Sequence, residues 1–446
     1  MSTEYAGAPK SEKAQLASHI DSLHNGSTRA GIRVGPLRLA ALEALGIRHQ
    51  ADSIRRGRFT AANLGPAPSA CIDEKCDSSR KGPMKRGGTV MVGAAVEARV
   101  ERVTRGNVRE FAAGLSEMDL CVRGRKLAVD FWPWLYFRNP AGAGTAVVAI
   151  RSGRVVGKFG RVPVWVTAGG ERLIAELLEG LTLLPDFRTW AHFRALTEAA
   201  LLAEPEREAA FSFGFSTPYM SKLHASLGGP VLGRVPVFAG VLNGATMLTA
   251  RGFPRPAAIA AGCAARAVFG LKRRCPAAPG VDLIPIPSFG EEYDALWKSL
   301  EPAAGVAVVK DAAYLNWRYV DCPAASYHRL AAWRSGELAG YIVWRDRGPN
   351  NDGYVLELAA RSNRRPVLSA LLLIALEDMA RSDTGLVMAS FPASAACAGV
   401  LRSAGFGAWA THLKKMSLVV APRSGESRPE QVAGAWQCTL GDWIYH

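Results

Sequence analysis

The chain reads as an α/β protein built from two similar units, and two observations predict it. The first is an internal repeat. Trp134-x-Tyr136-xxx-Pro140 recurs as Trp317-x-Tyr319-xxx-Pro323, Arg151-Ser152-Gly153 as Arg334-Ser335-Gly336, and Gly157 as Gly340, every pair offset by 183 positions. One such match is cheap in a Gly- and Ala-rich chain. Several at one offset mark a duplicated supersecondary unit. The second observation is that strand-like and helix-like runs follow one another in the same order in both halves.

In the first half, Val96–Val103 alternates as a strand does, and a helix is expected over Val108–Glu117. Thr145–Ile150 and Val155–Val166 flank Arg151-Ser152-Gly153-Arg154, a hairpin signal. A helix follows Pro185, a strand covers Phe211–Phe215, and another helix runs from Pro218 to Leu227. Ala245–Arg274 is Ala-rich, ends in Leu-Lys-Arg-Arg and reads as a connecting helix. A helix with a basic end can rest on a membrane surface, though a packed linker is the simpler expectation. The second half opens with Val306–Val309. Ser326–Trp333 and Glu337–Trp344 form a hairpin, Gly353–Ala359 a strand, Arg365–Arg381 a helix, Gly385–Ser390 a strand and Ala395–Ser403 a helix. The tail from Trp436 to Asp442 reads as a last strand and turn. Residues 1–92 mix Gly, Ser, Pro and Arg with little periodicity and read as a flexible N-terminal extension, so the expected division is 1–92, 93–243, a helical linker 244–280, and 281–446.

Composition narrows the class. The 446 residues are 49% hydrophobic and 21% charged, as in an ordinary globular protein. The net charge of +15 favours anionic partners without choosing among phosphate-bearing cofactors, nucleic acid and headgroups. Residues 1–90 hold 14 Lys/Arg against 8 Asp/Glu, so the excess is spread along the chain rather than gathered in one polybasic tail. The eight cysteines are scattered, with no CxxC pair, which argues against a metal site and for a reducing, cytoplasmic setting. No run reaches the ~18 apolar residues a membrane span needs, which leaves only peripheral contact with a bilayer.

The motif with most chemistry is Leu183-Leu184-Pro185-Asp186-Phe187-Arg188-Thr189-Trp190-Ala191-His192-Phe193. It resembles the signature of the GNAT acyltransferases (acyl-CoA N-acyltransferases), in which a strand ends at a Pro and an Arg-x-x-Gly-x-Gly/Ala turn opens a helix. Free N–H groups and the dipole at a helix N-terminus attract an anion; the resemblance makes that anion the pyrophosphate of acetyl-CoA or another acyl-CoA. Arg188, Thr189, Trp190, Ala191 and Phe193 are its expected contacts. Ala191 and bulky Phe193 stand where the family has small residues that let the backbone approach, and a plain strand-to-helix turn with an exposed Arg is the alternative.

Lys222-Leu223-His224-Ala225-Ser226-Leu227-Gly228-Gly229 resembles the family's helix ending in Tyr-x-x-x-Gly-Phe. His224 takes the place of the Tyr that protonates the departing thiolate in many members; an imidazole suits proton transfer near neutrality, and a helix-end dipole partner is the plainer role. In the second half the turn is Arg361-Ser362-Asn363-Arg364-Arg365-Pro366, without glycines, and Leu401 replaces the Tyr. Glu357 sits where a general base can lie in this family, or is a solvated strand residue. Asp311-Ala312-Ala313-Tyr314-Leu315-Asn316-Trp317-Arg318-Tyr319 resembles a marker of bacterial tandem GNAT proteins that acylate sugars, its aromatics offering a wall for a sugar ring or simply packing as core.

The resemblance, over residues 95–445, implies two GNAT-like domains, each a mixed, splayed sheet flanked by helices. It implies an N-acyltransferase acting on an amino sugar or small amine by direct attack on the thioester, with the first unit keeping more of the CoA turn. No specific nucleic-acid partner is expected. The alternatives are a FemABX-like aminoacyl transferase and a catalytically silent binding protein.

Overall fold

The computed structural model describes residues 98–203, 208–218, 220–222, 231–271, 280–300, 305–346, 348–392, 395–408, 417–422 and 436–443. The extension expected over 1–92 and His224 lie outside them. The two-unit α/β reading holds: two mixed sheets are flanked by helices.

The first sheet is assembled from β1 (Arg99–Val103), β2 (Thr145–Arg151), β3 (Arg154–Ala168), β4 (Glu171–Leu183), β5 (Phe211–Ser216) and β6 (Val231–Arg234). Its helices are α1 (Val108–Arg123), α2 (Phe131–Phe137) and α3 (Trp190–Leu202). After β7 (Phe238–Val241) come α4 (Gly244–Thr249) and α5 (Arg255–Phe269). The second half supplies β8 (Asp282–Pro285), α6 (Glu291–Leu300), β9 (Val306–Val308), α7 (Ala312–Tyr319), β10 (His328–Arg334), β11 (Glu337–Arg345) and β12 (Gly353–Ala360). It ends with α8 (Arg365–Arg381), β13 (Leu386–Ala389), α9 (Ala396–Ser403) and β14 (Ser417–Pro422).

The strand orders are β1-β2-β3-β4-β5-β14-β6, with β9 also on β3, and β8-β10-β11-β12-β13-β7. Each sheet therefore takes its sixth strand from the opposite half of the chain. β14 pairs antiparallel with β5, and β7 pairs antiparallel with β13.

The repeated motifs now have causes. Ser152 and Gly153 have φ of 50° and 75°, and Ser335 and Gly336 have 51° and 80°. Two left-handed residues make the primed turn that suits the twist of a two-residue hairpin. The register shift after the turn falls at Ala149/Ile150 in one hairpin and Ala332/Trp333 in the other, again 183 apart. A Cβ on Gly157 would lie 2.6 Å from Leu183 Cδ2, and one on Gly340 would lie 2.5 Å from the Ala359 carbonyl oxygen. Both glycines let the third strand press against the end of the fourth.

Trp134 on α2 and Trp317 on α7 meet face to face. Their rings stack at 4.9 Å with an interplanar angle of 18°. Trp134 Nε1–H donates to the Trp317 carbonyl (2.9 Å), and Trp317 Nε1–H to the Trp134 carbonyl (3.3 Å). Both are buried. This is the reciprocal contact of residues on a local two-fold axis, here within one chain. In the second half, Val367, Leu368, Leu371, Leu372, Ala375 and Met379 of α8 pack on β11 and β12.

Three elements depart from expectation. β4 is absent from the sequence reading because Glu171, Glu176 and Glu179 break its apolar pattern; the last two are buried opposite cations. The connecting helix is two helices broken at Gly252, whose φ is 88°. The tail makes the turn but no strand: Leu440–Asp442 is a single 3-10 turn, and Trp436 forms only an isolated bridge with Val306.

Trp134→Ala or Trp317→Ala is expected to cost about 3–5 kcal/mol, the usual range for a buried Trp truncation. Denaturant unfolding of the two single variants and the double variant checks this; the double should cost clearly less than their sum, because each removes the same contact.

Candidate active site in the first sheet

β4 and β5 run parallel for only three residue pairs, Ala175–Phe211 to Leu177–Phe213. Beyond them Leu178–Leu183 stays on β3 while Gly214–Ser216 stays on β14, so the sheet opens as a wedge. At its apex a Cβ on Gly214 would touch Leu178 Cβ at 3.0 Å. On the β3 side the ladder slips between Lys158/Thr182 and Gly160/Glu179. The extra residue lies at Gly180, whose φ is 53°. A bulge takes a backbone N–H out of the ladder, and here it does so beside the wedge. The second sheet repeats the plan: β12 and β13 share three parallel pairs, and β12 bulges between Glu357 and Val355.

α3 begins where β4 ends. Thr189 is its N-cap and accepts the His192 N–H. Helix geometry leaves the first N–H groups, of Trp190 and Ala191, without intrahelical partners. Arg188, Thr189, Trp190 and Ala191 are exposed. Arg188 Nε donates to the Leu183 carbonyl (3.2 Å), which tethers its guanidinium to the turn. Arg151 lies over the Phe187 ring at 5.4 Å, so a second cation stands at the same end. Phe193 is 5% exposed and points inward, with Trp190 stacked on it at 5.4 Å. Its bulk fills the core beneath the turn rather than the space in front of it. The open donors and two arginines fit an anionic phosphate group.

Beside the bulge stands a buried group of three. Glu179 accepts Lys158 Nζ on both oxygens (3.1 and 2.9 Å) and the Tyr136 hydroxyl on Oε2 (2.8 Å). A Cβ on Gly160 would sit 2.6 Å from the Tyr136 hydroxyl, so only glycine lets Tyr136 lie across β3. Burial lowers the Lys158 pKa to about 8, against the pull of Glu179 and with help from Arg123. The ammonium also lies 5.0 Å from the Trp132 ring.

The second half holds the counterpart with a different cation. Tyr319, the repeat partner of Tyr136, donates to Glu357 Oε1 (2.7 Å). The strand position of Lys158 is Tyr341, and the charge comes instead from Lys310, 2.7 Å from Glu357. Lys310 also pairs with Asp442, and Thr439 Oγ1 donates to Glu357 (3.1 Å). Burial works against the Lys310 ammonium, but Asp442 and Glu357 outweigh it and hold its pKa well above the lysine range. Burial, then Asp442, push Glu357 up, with Lys310 opposing.

Gly441 lies flat on the Tyr319–Glu357 pair, where a Cβ would collide with both. Arg318 locks that turn through the Gly441 and Trp443 carbonyls (3.3 and 3.1 Å). Glu357 is therefore a buried residue under residues 439–443, not a solvated one. Leu401 is fully buried in the second-half core, which accounts for the missing Tyr there.

Trp317 and Tyr319 of the marker segment are interior too. Tyr314 and Asp311 line a cavity of about 220 Å³ with Asn139, Trp165 and Arg172. Its polar groups are engaged with the protein: Arg172 pairs with Asp311 (2.7 Å), Asp311 Oδ1 caps α7, and Asn139 bonds Pro163 and Ala141.

Glu179, Lys158 and Tyr136 are the residues that sequence reasoning missed. Tyr136 is part of the repeat, but Glu179 lies on β4, which the sequence pattern does not mark, and Lys158 is a single charge within the strand-like run Val155–Val166.

No family model and no curated protein matches the chain. Among solved structures it is similar to a GCN5-related N-acetyltransferase from Anabaena variabilis, with 12% identity, 72% of each chain covered and a TM-score of 0.46. It is also similar to Saccharomyces cerevisiae N-myristoyltransferase with bound myristoyl-CoA, with 10% identity, 78% of this chain and 85% of that one covered, and a TM-score of 0.48. A third is a tandem GNAT protein from the clavulanic acid biosynthesis pathway, with 16% identity, 74% of this chain and 100% of that one covered, and a TM-score of 0.46.

Lys158→Met should destabilise the chain by about 3–5 kcal/mol, because it leaves Glu179 buried without its cation; Lys158→Met with Glu179→Gln should recover part of that loss in denaturant unfolding. The native Lys158 pKa near 8 lies below the unfolded value of 10.5. The unfolded chain therefore binds more protons between them, and this residue's contribution to stability grows as pH rises from about 8 to 10.5. Unfolding across that window should show a rising component in the native chain that is absent in Lys158→Met.

Proposed function

We propose that the chain is an acyl-CoA-dependent N-acyltransferase of the GNAT type, working in the first sheet. The observation that carries the reading is the coincidence, at one end of β4, of a wedge, a bulge at Gly180, an open helix N-terminus and a buried Glu–Lys pair. In this reading the CoA pyrophosphate lies against the Trp190 and Ala191 N–H groups, with Arg188 and Arg151 as counter-charges. The acyl chain enters the wedge. The thioester carbonyl oxygen accepts the bulge N–H, which stabilises the charge that develops as the amine attacks.

The amine nitrogen bonds to the carbonyl carbon, the C–S bond breaks, the nitrogen loses a proton and the thiolate gains one. Neutral Lys158, held by Glu179, is the proposed proton acceptor. His224 remains the proposed donor to the thiolate. A base role for Glu357 would belong to the second sheet and would require residues 439–443 to move aside. The acceptor we propose is an amino sugar or comparable small amine, from the likeness of the Asp311–Tyr319 segment to sugar-acylating proteins.

Two outcomes test this. Release of CoA thiol from acetyl-CoA, followed with a thiol reagent across a panel of amino sugars and amines, should show turnover whose KM for acetyl-CoA rises about 5–50-fold in Arg188→Ala, the loss expected of one charge-assisted phosphate contact. The rate should rise with pH through about 8, where the Lys158 ammonium loses its proton. No thiol release with any acceptor or acyl chain length, and no binding of acyl-CoA, would reject the reading.

A further inference from the structure

α1 stops at Gly124, whose φ of 71° ends the helix and whose N–H closes on the Leu120 carbonyl (2.9 Å). Arg123 is thereby the last helical residue, one turn beyond Asp119 and on the same face. Asp119 is wholly buried. One of its oxygens pairs with Arg123 Nη1, and Arg125 Nε lies 3.8 Å from the other. A buried carboxylate holds its cation firmly, because losing the cation would strand the charge. One amino group of Arg123 is therefore fixed. The other donates to Thr182 Oγ1 on β4 (3.0 Å).

Thr182 passes that contact to the bulge. A guanidinium can only donate, so the Thr182 hydroxyl keeps its own proton for the Gly180 carbonyl, 2.7 Å away. Gly180 and Leu181 together face Phe159, the one residue between Lys158/Thr182 and Gly160/Glu179 in the register. The peptide joining them is planar, so fixing the Gly180 carbonyl also fixes the direction of the Leu181 N–H. Thr182 is in addition the register partner of Lys158. Around Lys158 stand Glu179 on β4, Tyr136 through Glu179 and the Trp132 ring on α2, and Arg123 with Asp119 on α1. Burial is the main pressure on the Lys158 charge, Glu179 opposes it, and Arg123 adds to it.

We propose that Arg123 is a positioning residue of this site: anchored on Asp119, it orients the bulge peptide through Thr182 and sets a second positive charge beside Lys158. Two groups with different tasks are thus governed from one helix end. A bulge N–H needs a fixed direction to serve a developing oxyanion. The lysine needs to shed its proton to act as a base. The catalytic consequence rests on the acyltransferase reading; the orientation of the peptide and the effect on Lys158 do not.

The test follows the Lys158 titration by NMR in the full chain with isotope-labelled lysine, the signal being assigned by its loss in Lys158→Met. Asp119→Asn with Arg123→Gln leaves no stranded carboxylate and should raise the Lys158 midpoint by about half a pH unit or more, since a neighbouring like charge disfavours the ammonium. Arg123→Lys keeps the charge and should hold the midpoint at its native place. Thr182→Val should leave the midpoint unmoved but change the residual dipolar coupling of the Leu181 N–H, which reads its direction, beyond any change at Leu177 and Leu178. In turnover, Thr182→Val should lower kcat about tenfold with little change in KM for acetyl-CoA. An unmoved midpoint in the Asp119/Arg123 double variant, the same rise in Arg123→Lys, or a Leu181 coupling untouched by Thr182→Val overturns the proposal. Both shifts with kcat unchanged overturn its catalytic part. Both shifts in a chain that releases no thiol from acetyl-CoA uphold the positioning and reject the acyltransferase reading instead.

Discussion

The stack between Trp134 and Trp317 is the contact on which the rest of the molecule turns. Each indole N–H closes on the other residue's carbonyl, so neither Trp can move without stranding a buried donor and acceptor. The contact places α2 and α7 back to back, and with them the two tyrosines two residues on. Tyr136 and Tyr319 then reach the fourth strand of their own sheets, where Glu179 and Glu357 accept their hydroxyls. Duplication therefore fixes a pair of Tyr–Glu contacts beside a pair of bulges. The exchange of β7 and β14 between sheets ties the arrangement together, since neither wedge can widen without moving a strand owned by the other half.

Symmetry ends at the cations. In the first sheet Lys158 lies on the strand beside Glu179, and burial pulls its pKa toward neutrality. In the second, Lys310 faces two carboxylates and stays charged, and residues 439–443 lie over the pair. Both pairs are buried, and the helix N-termini at Trp190 and Arg365 are both exposed. The halves differ in the cation, a lysine whose pKa burial lowers in the first and one held charged by two carboxylates beneath residues 439–443 in the second.

Much of the architecture was legible in sequence because it rests on local chemistry. Ser152-Gly153 and Ser335-Gly336 announce their turns through left-handed φ values that few other pairs take up. The long apolar runs of β3 and β11 announce strands. β4 is not legible: Glu176 and Glu179 pair with Arg161 and Lys158 across the sheet, and only the register reveals that. The strand exchange was hidden for the same reason, because pairing of β14 with β5 spans two hundred residues. At the site, Arg188 and Thr189 could be found from the strand-Pro-Arg-helix pattern, whereas Phe193 read as an obstacle until its inward direction was known. The sequence leaves Glu357 either solvated or catalytic, and nothing near it in sequence signals the cover supplied by Gly441 and Asp442.

The central claim is that only the first half binds acyl-CoA, and calorimetric titration with acetyl-CoA measures it most directly. The account predicts one site per chain, weakened by Arg188→Ala and unchanged by Arg361→Ala. Two sites per chain, or a single site lost on changing Arg361 and indifferent to Arg188, would contradict it.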